Sequence, residues 1–551
     1  MSKARRLGGG STFLALATLG LAACATGAID GPGAVQGSSG GADAGSVGSG
    51  NDAGATTDSS GSLPSDSGAV IPPQGEVGGS TDSGPTTSGQ PLVDALLISK
   101  IDVYQGVQAT IAKGGAKATH LAPIIVGREA LMRVSVTPES GFASTSVTGV
   151  VTIETSSGTK TYSSAATTIG AASTDAALAS TINVDLPATA ITADAQYSVA
   201  LYASGPQSGS GSSDGAQYPA GGALEALGAT NTGSVMKITI VPVQYGADGS
   251  NRVPDTSAAQ IELYRQAAFE KYPAQSVVVS VRAPYASSIA IGADGSGFSD
   301  LLQAMMDLRQ QDGVADDVYY FGAFDGADTF DNYCSGGCVA GLCSVVTDAG
   351  DPTGRACVGI GFSGTDSADT MAHEVGHAHG RQHADCGGAT GIDPQYPYSG
   401  ASIGVWGYSL IDKSLKAPTT FTDMMGYCNP TWISDYNFAA LAERMAAVTG
   451  GKDVLNWASP RPFRFVTVGG DGSLTWGRST TLRRAPSTTK KTVKLLDASG
   501  AQTGTVTGYY WDFDHLPGGQ MLVPELSTGV SAISVPGPHG DTVLRTSIAS
   551  P

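Results

Sequence analysis

The chain has 551 residues, too many for one ordinary core, so several domains are expected, each burying its own apolar set. Its 30 Lys and Arg stand against 48 Asp and Glu, a formal net charge of −18, and no basic run is interleaved with aromatics, which argues against a nucleic-acid partner. With only 7 histidines and 7 cysteines in the chain, clustering of either type carries information.

The N-terminus, MSKARRLGGGSTFLALATLGLAACATG, sets Lys3, Arg5 and Arg6 before a short apolar run and small residues, the pattern of an export signal too short to span a bilayer. Its end, Leu21-Ala22-Ala23-Cys24, resembles the bacterial lipobox. Residues 1–23 are therefore expected to be removed and Cys24 to carry a lipid that anchors the exported protein to a membrane. Ala25 rather than Asp after that cysteine points to the outer membrane or cell surface. Residues 24–91 are Gly, Ser, Ala, Thr and Asp with almost no large apolar side chain, a composition that cannot bury enough to fold and is expected to be a disordered linker.

From 92 to 232, short runs alternate apolar and polar residues, as in ALMRVSVTP (130–138), VTGVVTIETS (147–156) and AQYSVALYAS (195–204), which predicts a β-sandwich of Ig-like kind. From 233 to 452 the apolar strands lengthen and alternate with helices. Strands are expected at 235–245, 276–283 and 317–324, and helices at 255–272, 298–313 and 434–449, with Pro273 and Gly313 as stop signals. Residues 453–551 return to β patterning in RFVTV, KTVKLLDA and YYWDF, predicting a second β-sandwich. The fold class read from this pattern is multidomain, an α/β (α+β) unit flanked by β-sandwiches behind a disordered linker.

Residues 371–386 read MAHEVGHAHGRQHADC and hold four of the seven histidines. His373, Glu374 and His377 form H-E-x-x-H inside TDSADTMAHEVGHAHG, where early acidic residues and Gly380 predict a helix of about three turns. Four residues apart, His373 and His377 lie on one face and can both reach a Zn²⁺ ion. Gly380 can take the left-handed conformation that ends a helix, letting His383 approach from outside. Three histidines with one open position describe a catalytic rather than a structural zinc site. With 76 Gly and 7 His in 551 residues, the added Gly and His would fall at their offsets by chance about twice in a thousand. His379 falls off the ligand face and is read as a surface residue or a support for a ligand. His120, His515 and His539, isolated in sequence, are read as surface residues. DGADTFDN (325–332) and GADGSG (292–297) lack the spacing of an EF-hand loop and are read as solvated loops.

The string H-E-x-x-H-x-x-G-x-x-H resembles the metzincin zinc endopeptidases, over roughly 235–452. That family also has a Met-turn under the metal, often M-x-Y, and FTDMMGYCNPTWISDY (421–436) offers Met425-Gly426-Tyr427 with Met424 as a rival. The resemblance implies one zinc per chain on His373, His377 and His383, with Glu374 as general base and Tyr427 as a residue that stabilises the oxyanion. The implied activity is hydrolysis of peptide bonds in extracellular proteins or peptides. Two rivals are a surface-anchored binding lipoprotein with an inactive zinc domain, and a zinc hydrolase acting on other bonds. Six cysteines remain after Cys24, and an even number in an exported protein reads as three disulfides. If the Met-turn lies beneath the zinc as in metzincins, Cys386 pairs with Cys428, leaving Cys334, Cys338, Cys343 and Cys357 to form two bonds among themselves.

Overall fold

The computed structural model describes residues 89–449, 459–537 and 540–546. The expected signal peptide, Cys24, nearly all of the expected linker and His539 lie outside the described residues. Among the described residues no helix is long and apolar enough to cross a membrane.

Residues 92–232 form two antiparallel sheets that share one core. One sheet runs Ala116–Lys117, Gln108–Lys113, Leu96–Tyr104, Ala130–Pro138, Ile182–Leu186, and the other is built on Gln196–Ala203, Thr145–Thr155 and Gly158–Ser163. Ile101, Val134 and Val184 of the first face Val151, Tyr197 and Val199 of the second, because alternate residues of each strand point inward.

The central unit is a mixed sheet in the order Ser276–Val281, Val235–Tyr245, Val318–Phe324, Ala356–Ile360, Gly341–Cys343. The first four strands are parallel and the last is an antiparallel edge. Both faces are covered, which is why these strands read as continuous apolar runs rather than alternating ones. Helices α1 (Ala258–Lys271), α4 (Thr365–Ala378) and α5 (Asp435–Thr449) cover one face through Ile261, Tyr264, Met371, Val375, Phe438 and Leu441. Helix α2 (Phe298–Asp312) covers the other through Leu301, Leu302, Met305 and Met306, and the short α3 (Phe330–Cys334) follows the third strand. Ser257 caps α1, its side chain accepting from the Gln260 amide, and Gly313 ends α2 in the left-handed conformation at φ 63°.

Beyond residue 458 the expected second sandwich is instead one antiparallel sheet, in the order Leu474–Leu482, Arg461–Gly469, Gly518–Pro524, Gln502–Asp512, Thr489–Leu496, Ala532–Gly537, Gly540–Arg545. It curls until its end strands meet, where Trp476 Nε1 donates to the Arg545 carbonyl at 2.8 Å. Its inner face carries Val466, Met521, Val523 and Ile533. Its outer face lays Phe463, Phe465, Trp511 and Leu522 against α2. Two apolar faces therefore come from one sheet, and strand alternation alone does not say whether the second face meets another sheet or a helix.

Candidate metal centre

Helix α4 sets His373 and His377 one turn apart on a single face, and its end is built to reverse the chain. Gly380 (φ 82°) follows the cap residue His379, the Arg381 amide donates to the Gly376 carbonyl at 3.0 Å, and the Gly380 amide donates to the His377 carbonyl at 2.8 Å. This is the paired-bond C-terminal motif that glycine favours, and it turns the chain so that His383 comes back over α4. Arg381 anchors the turn, bonding Asn437 of α5 at 2.7 Å and Asp393 at 2.9 Å.

The three imidazoles converge. His377 Nε2 stands 3.0 Å from His373 Nε2 and 3.1 Å from His383 Nε2. Ligands held roughly 2.0–2.1 Å from a tetrahedral ion stand about 3.3–3.4 Å apart, so these two spacings lie a few tenths of an ångström inside those of such a site. The other ring nitrogens settle the tautomers. His373 Nδ1 faces the Met424 carbonyl at 2.6 Å, His377 Nδ1 the Arg381 carbonyl at 2.7 Å, and His383 Nδ1 the Thr390 carbonyl at 2.5 Å. A carbonyl only accepts, so each Nδ1 carries the hydrogen and each Nε2 presents a lone pair inward. Burial holds His373 and His377 well below the ordinary histidine range and His383 at about 3, which keeps the rings neutral and ready to bind a cation.

The segment 423–428 forms the floor. Met425 is fully buried, and a Cβ on Gly376 would come within 2.6 Å of its sulfur, so α4 needs glycine where it crosses this methionine. Asp423 shapes the turn, accepting from the Met425 amide at 2.8 Å, the Ser434 amide at 2.9 Å and Asn437 Nδ2 at 2.8 Å. Met424, the rival position, lines the cleft and accepts from His373 Nδ1 through its carbonyl. The Tyr427 hydroxyl reaches His383 Nε2 at 3.2 Å. A disulfide joins Cys386 to Cys428, and two others join Cys334 to Cys338 and Cys343 to Cys357. Three bridges fit an exported protein.

Two of the readings for single histidines change. His515 is not a surface residue: it sits at the tip of the turn between Gln502–Asp512 and Gly518–Pro524 and enters the centre. Its Nε2 lies 2.8 Å from Glu374 Oε1, its Nδ1 bonds the Tyr427 hydroxyl, and its ring centroid is 5.1 Å from those of His373 and His383. Nor is His379 on the surface. It is buried, stacked on Tyr319 with centroids 4.4 Å apart, and its Nδ1 donates to the Val375 carbonyl at 2.8 Å. His120 stays outside the centre, bonded to the Ala122 carbonyl at 2.7 Å.

Glu374 is buried beside the three histidines, and its Oε2 has no hydrogen-bond donor. The carboxyl of Asp514 faces it while accepting from the Cys343 amide at 3.1 Å. Burial pushes Glu374 up to about 8, and burial together with Glu374 pushes Asp514 well above the usual carboxylate range. The inward lone pairs of His373, His377 and His383, gathered with the His515 ring, make a group that could hold one metal ion, whose charge would also draw Glu374 back toward its charged form. Sequence reasoning missed Asp423, Asp514 and His515. The only sequence signal for the last two is a Asp-His pair in a turn after an aromatic strand, too common to single out. No family model matches the chain, and no curated protein matches it.

Proposed function

We propose that the chain is a zinc-dependent endopeptidase of metzincin type, exported and held at the cell surface or outer membrane by lipid on Cys24. The observation that carries the reading is the convergence of three neutral Nε2 lone pairs, with Glu374 beside them and Met425 beneath. His373, His377 and His383 would hold the zinc ion, which supplies Lewis acidity at the scissile carbonyl. Glu374 takes a proton from the attacking water and passes it to the leaving amine nitrogen, and its burial against Asp514 holds that proton between the two events. The Tyr427 hydroxyl donates to the carbonyl oxygen as charge builds on it. The cleft at the centre is lined also by Asp369 and Thr370 of α4 and by Tyr427, Asn429 and Thr431. The test is incubation of the mature chain with a mixed peptide library with and without a zinc chelator, read by mass spectrometry. Chelator-sensitive cleavage is expected, and library peptides left intact at every enzyme concentration would remove the proposal.

A second reading, a surface-anchored binding lipoprotein whose zinc unit is inert, is favoured by one observation, the His515 ring at the mouth of the centre. Stoichiometric zinc without cleavage in either the wild type or a His515 variant would select it.

A further inference from the structure

Four imidazoles, not three, gather at the metal centre. The ligand atoms of His373, His377, His383 and His515 all lie within 4.8 Å of one another, and the first three already have lone pairs fixed inward by their Nδ1 bonds. His515 sets Nδ1 on the Tyr427 hydroxyl and Nε2 2.8 Å from Glu374 Oε1; the hydroxyl can accept as well as donate, so with Nδ1 donating to it the Nε2 lone pair is available to a metal. We propose that His515 is a fourth protein ligand, carried by the C-terminal sheet into the metal's open position, so that the intact chain holds its own site mostly closed. The closure deepens the peptidase reading and rests on it, whereas the ligand assignment stands on the geometry alone.

The way this segment is held makes the insertion a built feature. Asp512 accepts from the Val345 amide at 3.2 Å, Phe513 bridges antiparallel to Ser344, and Asp514 takes the Cys343 amide at 3.1 Å. Those amides belong to and continue the edge strand Gly341–Cys343, the kind of backbone an extended peptide uses when it adds to a sheet. Trp511 and Phe513 bury behind the turn, which delivers His515 between the carboxylate and the tyrosine. There its ring stacks on Tyr427 at 5.2 Å and on His373 at 5.1 Å. His515 lines the cleft together with His373, Glu374 and Tyr427, and as a fourth ligand its ring would take the position a substrate carbonyl needs. Substrate must then displace the hairpin tip, and the apparent activity is scaled down by the fraction of chains in which it is withdrawn.

The test compares the full mature chain, loaded with zinc, with His515→Ala by X-ray absorption at the zinc edge. Four imidazoles are expected in the wild type and three in the variant, whose zinc affinity should fall. Added free imidazole should restore the fourth in the variant, which also shows that its centre is folded. On a library-derived peptide, His515→Ala should raise kcat/KM by at least about tenfold, the gain from freeing a mostly closed site. Three imidazoles in both chains, or a lower kcat/KM in the variant, would overturn the proposal. A change from four to three with no cleavage by either chain would uphold the ligand and remove the peptidase reading instead.

Discussion

The two β units flank the same α/β unit and carry the same alternating pattern, yet they meet it differently. The N-terminal sandwich keeps a core of its own and meets the central unit at one end, where Val107, Ala122 and Ile125 enter that unit's core. There the buried Arg128 guanidinium donates to the carbonyls of Phe269, Tyr272 and Ala274 at the end of α1, and Trp432 Nε1 donates to the Gly106 carbonyl at 2.8 Å. Among the described residues none of its side chains belongs to the candidate metal group. The C-terminal sheet shares the core of α2 and sends Asp514 and His515 into the centre. Strand patterning tells where a sheet hides its apolar face, and the turn between two strands decides whether that sheet reaches the candidate metal group.

The centre that both units flank should give the largest effect. Glu374→Gln should keep its metal and lose kcat/KM by about 10²–10⁴-fold, the contribution typical of a general base. Full activity in that variant, measured on the same peptide, would remove Glu374 from its role.

Core truncations then set the two β units against each other. Trp511→Ala should cost about 3–5 kcal/mol and Ile101→Ala about 2–5 kcal/mol of stability by denaturant unfolding. Only Trp511→Ala should change kcat/KM and metal affinity, because Trp511 backs the turn that carries His515 and bonds Asp351 at 3.2 Å. Equal catalytic changes in both variants would break the comparison.

The bridge Cys386–Cys428 spans a sequence separation of 42, so replacing both cysteines with serine should cost about 4 kcal/mol on the loop-entropy model. It should also weaken metal retention, because the bridge ties the chain just past His383 to Tyr427, whereas the same change at Cys334 and Cys338 should leave affinity untouched. Metal titration of the two double variants checks this.

The smallest effect belongs to the sandwich contact. Arg128→Ala leaves three helix-end carbonyls short of a donor and should cost about 1–3 kcal/mol. Its metal affinity should match the wild type in the same titration.

Much of this architecture is legible in the sequence, for identifiable reasons. Helix α4 and its exit follow from the spacing of His373, His377, Gly380 and His383, since a 3.6-residue period and a glycine stop are local rules. The parallel strands show as unbroken apolar runs because both faces are covered. His515 is a different case. It lies 132 positions beyond His383, and nothing local states that the turn holding it lands on an edge strand of another unit. The surface alternative for His379 fails for a related reason: leaving the ligand face of a helix does not mean facing water when the far side packs on Tyr319 and Tyr272.

The most direct test of the central claim is the metal content of the purified mature chain beside that of His377→Ala. About one zinc per wild-type chain is expected, lost together with peptide cleavage on chelation, and essentially none in the variant. A folded wild-type chain that carries no transition metal and takes none up when zinc is supplied would contradict the account.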